Sequence, residues 1–484
     1  MTDLPLALYT CQAVKSYESV YANYELMCRA GQAAFNILRE HWPDAQSLAL
    51  CAGVGNNGGD GFVLARLAHS AGLKVTVYQV GEGHAERLSV EAKSARKDWL
   101  AMGTIIPFQG QIFTADVIVD AVLGTGMHAP LAPQFAQAIS AMNASKRPIF
   151  SIDVPSGLNA DTGVCLEPTV NASATVTFIA LKIGLLCHQG VDVVGALYFD
   201  ALGLTIEKSM EPTAIRLDYA QSRRALSPRP LSAHKGDNGH VVVIGGGQMS
   251  YSGAPALAGE AALRVGAGLV SVVVAPESIP LLARGALELM CYGPKHPKKV
   301  QALLNKATVL VLGPGLTQTA WAEKFFQTAL GLNKSLVIDA DGLNILAHVA
   351  LKRANWVLTP HPAEAARLLN QSTASVQQDR IAAAKALHKK YGGVIVLKGA
   401  GTIIFDGKEL FINGGGFPIL ATGGTGDILA GLIGGLAGQG LSLLQAAKIA
   451  VCVHTGAAAL EQSLGVRGMV ASDLFLHIRD LINV

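Results

Sequence analysis

The chain alternates short, nearly unbroken apolar runs with longer stretches in which apolar residues recur every three to four positions. The first rhythm fits buried strands and the second fits helices. Residues 47–53 (SLALCAG), 74–80 (KVTVYQV), 116–124 (DVIVDAVLG) and 148–154 (PIFSIDV) are strand candidates, and further runs follow at 175–179 and 196–199. Each reads as a buried strand, so a mostly parallel sheet is expected. A helix fits between most of these strands. Another precedes them over residues 17–39, where Leu26, Met27, Phe35 and Leu38 recur at helical spacing. This alternation predicts a doubly wound α/β domain.

Between residues 205 and 237 the pattern breaks into a polar stretch holding Pro212, Pro228 and Pro230. It reads as a connection between domains. The alternation then restarts, with strand candidates at 240–246, 269–275, 307–315, 335–342, 355–362, 393–401 and 402–407, and helical stretches such as 253–268 between them. No repeat relates the halves, so two different α/β domains are expected, over residues 1–218 and 226–484. The 484 residues fit that reading, since a domain takes about 100–200.

Composition adds exclusions. Hydrophobic residues make up 50% and charged residues 15% of the chain, enough for large cores. A net charge of +3 provides no global field for nucleic acid. The basic run at residues 295–299 reads as a solvated loop. Seven scattered cysteines without a C-x-x-C pair argue against a disulfide framework and a zinc site, and suit the cytoplasm. The N-terminal stretch lacks the features of a secretory signal, and no long apolar run free of turn signals predicts a membrane span.

Open α/β sheets bind ligands at the carboxyl ends of their strands, and three such ends in the first half carry chemistry. The run 47–53 is followed by Val54-Gly55-Asn56-Asn57-Gly58-Gly59-Asp60-Gly61 and a helix. These glycines allow positive φ and let backbone N–H groups face a phosphate at the helix N-terminus. Asp120 precedes Gly124-Thr125-Gly126, and Asp153 precedes Pro155-Ser156-Gly157. Asn57, Asp120 and Ser156 offer oxygen donors for a hard cation. Asp153, with no obvious Lys or Arg partner in sequence, is a candidate for proton transfer. NNGGDG is not the G-x-G-x-x-G of dinucleotide dehydrogenases, and no acidic residue is placed to grip a ribose.

GNNGGDG, DAVLGTG and SIDVPSGL, in this order, resemble the N-terminal YjeF family of NAD(P)H-hydrate epimerases over residues 1–218. The resemblance implies that Asn56, Asn57, Gly58, Gly59 and Asp60, with Gly124, Thr125, Gly126, Met127, His128, Ala129 and Pro130, hold the phosphates and ribose of the hydrate. It implies potassium on Asn57, Asp120 and Ser156, and a substrate contact at Asp153. One departure is Cys28, which stands after Met27 where the family has Glu.

In the second half, Thr422-Gly423-Gly424-Thr425-Gly426-Asp427 opens a helix of small residues. Its glycines and helix N-terminus make an anion hole, and Asp427 in the first turn can accept a proton from a substrate hydroxyl. Lys398-Gly399-Ala400-Gly401-Thr402 reads as a turn that cradles a second phosphate. Gly313-Pro314-Gly315 and His361 close two other strands; His361 alone is as well explained by structure as by catalysis. Asp339 and Asp341 are candidates either for magnesium or for helix capping.

HKGDNGHVVVIGG, GAPALAGEAALRVGAG, LGPG, DADGLN, LTPHPAE, LKGAGT and TGGTGD resemble the ribokinase-like superfamily, and within it the NAD(P)H-hydrate dehydratases, over residues 226–484. The resemblance implies that Lys398, Gly399, Ala400, Gly401, Thr402 and Gly426 bind ADP, and that Ala254, Gly315, His361 and Asp427 contact the hydrate. The family begins its helix Pro-Gly-Ala, where this chain has Ser252-Gly253-Ala254. Together the two resemblances imply repair of hydrated cofactors, NADHX and NADPHX. The hydroxyl would be phosphorylated from ADP and eliminated, giving AMP and phosphate, while the first domain supplies the required epimer. They also imply a homo-oligomer, a tetramer or larger. The competing reading is a small-molecule kinase acting on a hydroxymethylpyrimidine-like alcohol, with an accessory nucleotide-binding domain; an epimerase partner would serve no purpose there.

Overall fold

A computed structural model describes residues 4–81, 88–126, 130–206, 210–280, 282, 287–294 and 297–483. The chain forms two compact units, Met1–Arg216 and Leu217–Val484.

The first unit is built on seven parallel strands in the order Ile105–Pro107, Lys74–Gln79, Ser47–Ala52, Val117–Ala121, Ile149–Ile152, Ala174–Phe178 and Ala196–Asp200. This is the expected doubly wound sheet. Both faces are covered, which is why its strands read as continuous apolar runs. Leu50, Val119 and Phe150 pack into one apolar layer, while their neighbours Cys51, Ile118 and Ile149 pack into the other. The order reverses between Ser47–Ala52 and Val117–Ala121, so a crevice opens at their carboxyl ends.

Residues 17–39 do not form one helix. Cys11–Tyr21 ends at Ala22, and a second helix, Tyr24–His41, starts afresh. Asn23 caps it by accepting a hydrogen bond from the Leu26 N–H, and such a side-chain cap satisfies a donor that a continuous helix would not leave free. The polar stretch 205–237 holds the strand Ala214–Arg216, paired antiparallel with Ala7–Tyr9, and the short helix Tyr219–Ser222.

The second unit has a sheet in the order Met290–Tyr292, Leu269–Val273, His240–Ile244, Val309–Leu312, Ser335–Ile338, Trp356–Leu358, Val394–Leu397, Thr402–Phe405 and Leu410–Asn413. The first seven are parallel, Thr402–Phe405 pairs antiparallel with Val394–Leu397, and Leu410–Asn413 pairs antiparallel with Thr402–Phe405. Two helices lie close together, Gly253–Arg264 and Thr425–Gly438. A Cβ on Gly431 would collide with the Ala258 carbonyl, and one on Gly435 with Val265, so only glycine permits this approach. Lys298 and Lys299 are exposed as expected, but they lie in the first turn of a helix, Pro297–Lys306, rather than in a loop. One helix, Leu443–Gln462, is long and apolar enough by length and composition to cross a membrane. It packs on Thr425–Gly438, and 61% of its apolar window is buried within the protein.

Candidate functional site

In the first unit, a cavity of about 440 Å³ lies at the sheet's reversal point. Asn56, Asn57, Asp60, Gly124, Thr125, Gly126 and Asp153 line it. Pro130 is exposed and is not among the lining residues, while Met127, His128 and Ala129 lie outside the described residues.

The glycine-rich segment differs from its expected form. The helix begins at Asn56, so NNGGDG is its first turns rather than a loop before it. None of Gly55, Gly58, Gly59 and Gly61 has positive φ. They are needed for close approach: a Cβ on Gly58 would strike the Gly53 carbonyl, and one on Gly61 the Ala121 side chain. The helix N-terminus is thereby seated at the strand ends, with its first N–H groups and dipole toward the crevice.

Asp120 is wholly buried, with no cationic partner among the described residues. Its carboxylate accepts from the Ser151 hydroxyl at 2.9 Å, the Ser156 hydroxyl at 2.6 Å and the Ser156 N–H at 2.9 Å. Burial raises its pKa, and the serine hydrogen bonds act against that rise. Asn57, only 7% exposed, leaves both its amide oxygen and nitrogen without a hydrogen-bond partner among the described residues. Buried amides are rarely left so. An unsatisfied amide oxygen and a buried, uncompensated carboxylate fit a bound cation.

Asp153 does have a basic partner. Lys182, 29 residues further on and 1% exposed, sits in the two-residue strand Leu181–Lys182, paired with Ala7–Tyr9, with its ammonium 2.5 Å from Asp153 Oδ1. The same ammonium donates to Thr177 Oγ1 at 3.0 Å and to the Phe178 carbonyl at 2.9 Å. Asp153 has φ +64°, a strained conformation for a non-glycine residue. Glu18 also lines the cavity. Burial, then the nearby Asp153 charge, raises the pKa of both Glu18 and Asp60. No local motif marks Lys182 or Glu18, because strand pairing and helix packing bring them in.

In the second unit, Gly424 has φ +96° and turns the chain into the helix Thr425–Gly438, placing Asp427 in its first turn. The Thr425 hydroxyl donates to the Leu420 and Thr422 carbonyls, fixing that entry. His454 Nε2 lies 2.9 Å from the Thr425 carbonyl; burial pushes its pKa down to about 4, so it is a neutral donor there. Lys398 joins this cluster. Its ammonium lies 2.7 Å from Asp339 Oδ1 and 3.9 Å from Glu364 Oε2, and a Cβ on Gly426 would come within 3.2 Å of it. Burial would lower the Lys398 pKa, but Asp339 and Glu364 together raise it. Burial, then Asp339, pushes Asp427 up to about 7, and burial pushes Glu364 to about 7 as well.

Residues 398–402 form the expected turn between Val394–Leu397 and Thr402–Phe405. Arg380, buried and unmarked by any motif, holds it by donating to the carbonyls of Leu397, Lys398 and Ala400. A Cβ on Gly399 would press on this guanidinium. Ala254 and Gly315 adjoin each other: a Cβ on Gly315 would lie 3.3 Å from the Ala254 Cβ. His361 caps the helix Pro362–Leu369, its Nδ1 accepting from the N–H groups of Ala363 and Glu364, and its side chain is 49% exposed. Asp339 is not a cap; it accepts from Lys398 and from the Thr359 hydroxyl. Asp341 accepts from the Thr317 N–H and the Asn344 amide.

Residues 23–184 match the family described as YjeF-related protein N-terminus, and residues 241–479 the family described as NAD(P)H-hydrate dehydratase. A bifunctional NAD(P)H-hydrate repair enzyme of Coxiella burnetii is 44% identical, the alignment covering 96% of each chain. The chain belongs to the bifunctional NAD(P)H-hydrate repair enzymes. A member of this repair family from Escherichia coli is also 44% identical, over 95% of this chain and 90% of its own. Among solved structures, a ribokinase-like superfamily protein from Enterococcus faecalis is 28% identical with TM-score 0.51, covering 55% of this chain and 95% of its own. An ADP/ATP-dependent NAD(P)H-hydrate dehydratase from Bacillus subtilis, co-crystallized with ATP/Mg2+, is 28% identical with TM-score 0.50, covering 55% of this chain and 96% of its own. The ribokinase-like architecture expected for the second half is therefore present, and the repair family supplies the frame for both sites.

Proposed function

We propose that the second unit converts (S)-NAD(P)HX to NAD(P)H with ADP as phosphoryl donor, and that the first unit interconverts the R and S hydrates. The observation that carries this reading is the gathering of Lys398, Asp339 and Asp427 around the helix N-terminus entered through Gly424. Asp427 takes the proton from the hydroxyl on C6 of the hydrated nicotinamide as that oxygen attacks the β-phosphorus of ADP, and AMP leaves. The helix N-terminus and Lys398 stabilise the charge that develops on the transferred group. The C6–O bond then breaks with the ring nitrogen's lone pair assisting, the oxygen departs with phosphate, and loss of a C5 proton restores NAD(P)H. Lys398 and the 398–402 turn with Gly426 hold ADP; Ala254, Gly315 and His361 contact the hydrate.

Magnesium would neutralise the phosphates of the bound nucleotide. Asp339 is the residue suited to it, because Oδ1 takes the hydrogen bonds from Thr359 and Lys398 while Oδ2 faces Gly426. In the first unit, Asn57, Asp120 and Ser156 would hold potassium, which supplies positive charge beside the substrate. The unsatisfied Asn57 amide supports this assignment. Asn56 to Asp60 and the segment from Gly124 hold the hydrate, and Asp153 moves the proton at the C6 oxygen while Lys182 fixes its carboxylate. Incubation with mixed NADHX epimers and ADP tests both halves. Full recovery of NADH absorbance is expected. With Asp427→Ala, recovery stops while chromatography still shows the epimers exchanging. Phosphorylation of a pyrimidine alcohol with no NADH recovery would overturn the reading.

A further inference from the structure

A second and larger cavity, about 920 Å³, lies in the Leu217–Val484 unit. Arg223, Arg224, Arg229, Arg264 and Arg479 line it, opposed by Glu260 and Glu288. That local excess of three positive charges equals the formal net charge of the whole chain, +3. The cavity lies at the opposite ends of the two helices that carry the Asp427 site. Ala254 sits at the start of Gly253–Arg264, whereas Arg264 and Val265 at its end reach the cavity; Gln439 does the same for Thr425–Gly438. At about 1.5 Å per residue, the two places stand roughly 20 Å apart.

Two of the five arginines have structural work. Arg264 pairs with Glu260 at 2.9 Å. Arg229 donates to the Gly266 carbonyl at 2.5 Å and to Gln439 Oε1 at 2.6 Å. The end of a helix presents carbonyl oxygens and would repel an anion. Here Arg229 covers Gly266, and Gln439 Nε2 donates to the carbonyls of Val265 and Gly435. Gly266, at φ +111°, leaves room for this arrangement, since a Cβ there would collide with Arg229 Nη2. The floor is thus fixed and its negative ends are screened. The guanidinium groups of Arg223, Arg224 and Arg479 make no hydrogen bond or ion pair with another described residue, and all three residues line the same cavity.

We infer that this cavity is a second anion site, which takes the phosphate groups of a polyphosphate-bearing small molecule. Three guanidinium groups from two separate segments suit several phosphate oxygens at once, and the volume lies in the range of small-molecule sites. The site is independent of the function proposed above.

Isothermal titration of the full chain with inorganic tripolyphosphate tests it. Lys398→Ala removes the central cation of the Asp427 site and is expected to leave one class of binding intact. Arg223→Ala/Arg224→Ala/Arg479→Ala is expected to weaken that class at least about tenfold, to leave the melting profile in place, and to keep dehydration without added anion at its original rate. Should the triple variant fail to fold, Arg224→Gln and Arg479→Gln singly are each expected to weaken binding severalfold. A parallel titration with a nucleoside triphosphate on Lys398→Ala separates sources: tighter uptake than tripolyphosphate assigns a nucleotide, equal uptake a bare polyphosphate. Loss of all binding in Lys398→Ala, or unchanged binding in the arginine variants, overturns the site.

Discussion

Lys182→Met removes the ammonium beside Asp153 while keeping most of the side chain's volume. The pair is buried: the Lys182 side chain is 2% exposed and that of Asp153 19%, at 2.5 Å. At an effective dielectric of about 20, the attraction is on the order of 6 kcal/mol. Desolvation offsets part of it, and removing one partner of a buried pair typically costs about 3–5 kcal/mol. A domain stable by about 5–15 kcal/mol tolerates that loss with a lowered melting point. The chemistry should suffer more. Asp153 would lose the group that fixes its carboxylate from a strained backbone, and loss of a positioned proton-transfer group costs about 10²–10⁴ in rate. The assay follows NADH recovery from mixed epimers with ADP. A fast phase consuming the S form should keep its rate, and the slow phase fed by epimerisation should fall at least a hundredfold. Asp153→Asn with Lys182→Met removes both charges, so it should recover stability relative to Lys182→Met alone without recovering epimerisation. A slow phase at the original rate in Lys182→Met would refute the reasoning.

Asp427 must be ionised to act as base, and its pKa is raised to about 7. Dehydration of the S epimer should therefore fall as pH drops through about 7, and the inflection should vanish in Asp427→Asn; a flat profile from about pH 6 to 8 would count against it. Asn57→Ala removes the unsatisfied buried amide, and epimerisation should lose its activation by potassium; an unchanged potassium titration would remove the ion from that site. Gly426→Ala would bring a methyl within 3.2 Å of the Lys398 ammonium. The KM for ADP should rise about tenfold, equivalent to about 1.4 kcal/mol, with stability changed by less than about 1 kcal/mol because alanine suits a helix better. Unchanged KM would place ADP elsewhere.

The two α/β sheets were legible from the chain because their strands are buried on both faces and stand out as apolar runs between turn residues. The strands Ile105–Pro107, Met290–Tyr292 and Leu410–Asn413 were not legible in the apolar pattern. The first two have neighbours on one side only and are too short to build an apolar run. The helix break at Asn23 was missed because apolar spacing continues across it, while the decisive hydrogen bond involves a single side chain. In the site of the first unit, the glycines were visible but their reason was not. Positive φ is a local property, whereas the contacts that require Gly58 and Gly61 come from the Gly53 carbonyl and from Ala121 on another strand.

The sequence by itself determined the fold class, the two glycine-bearing helix entries and the acidic residues at strand ends, because each is written in contiguous residues and governed by short-range sterics. Only the tertiary structure decided which charges meet. Lys182 reaches Asp153, Lys398 reaches Asp339, and Arg380 grips the 398–402 turn. Those pairs are separated by 29, 59 and 18 residues. A buried charge must find its partner wherever packing places one, and strand order sets that place rather than spacing along the chain.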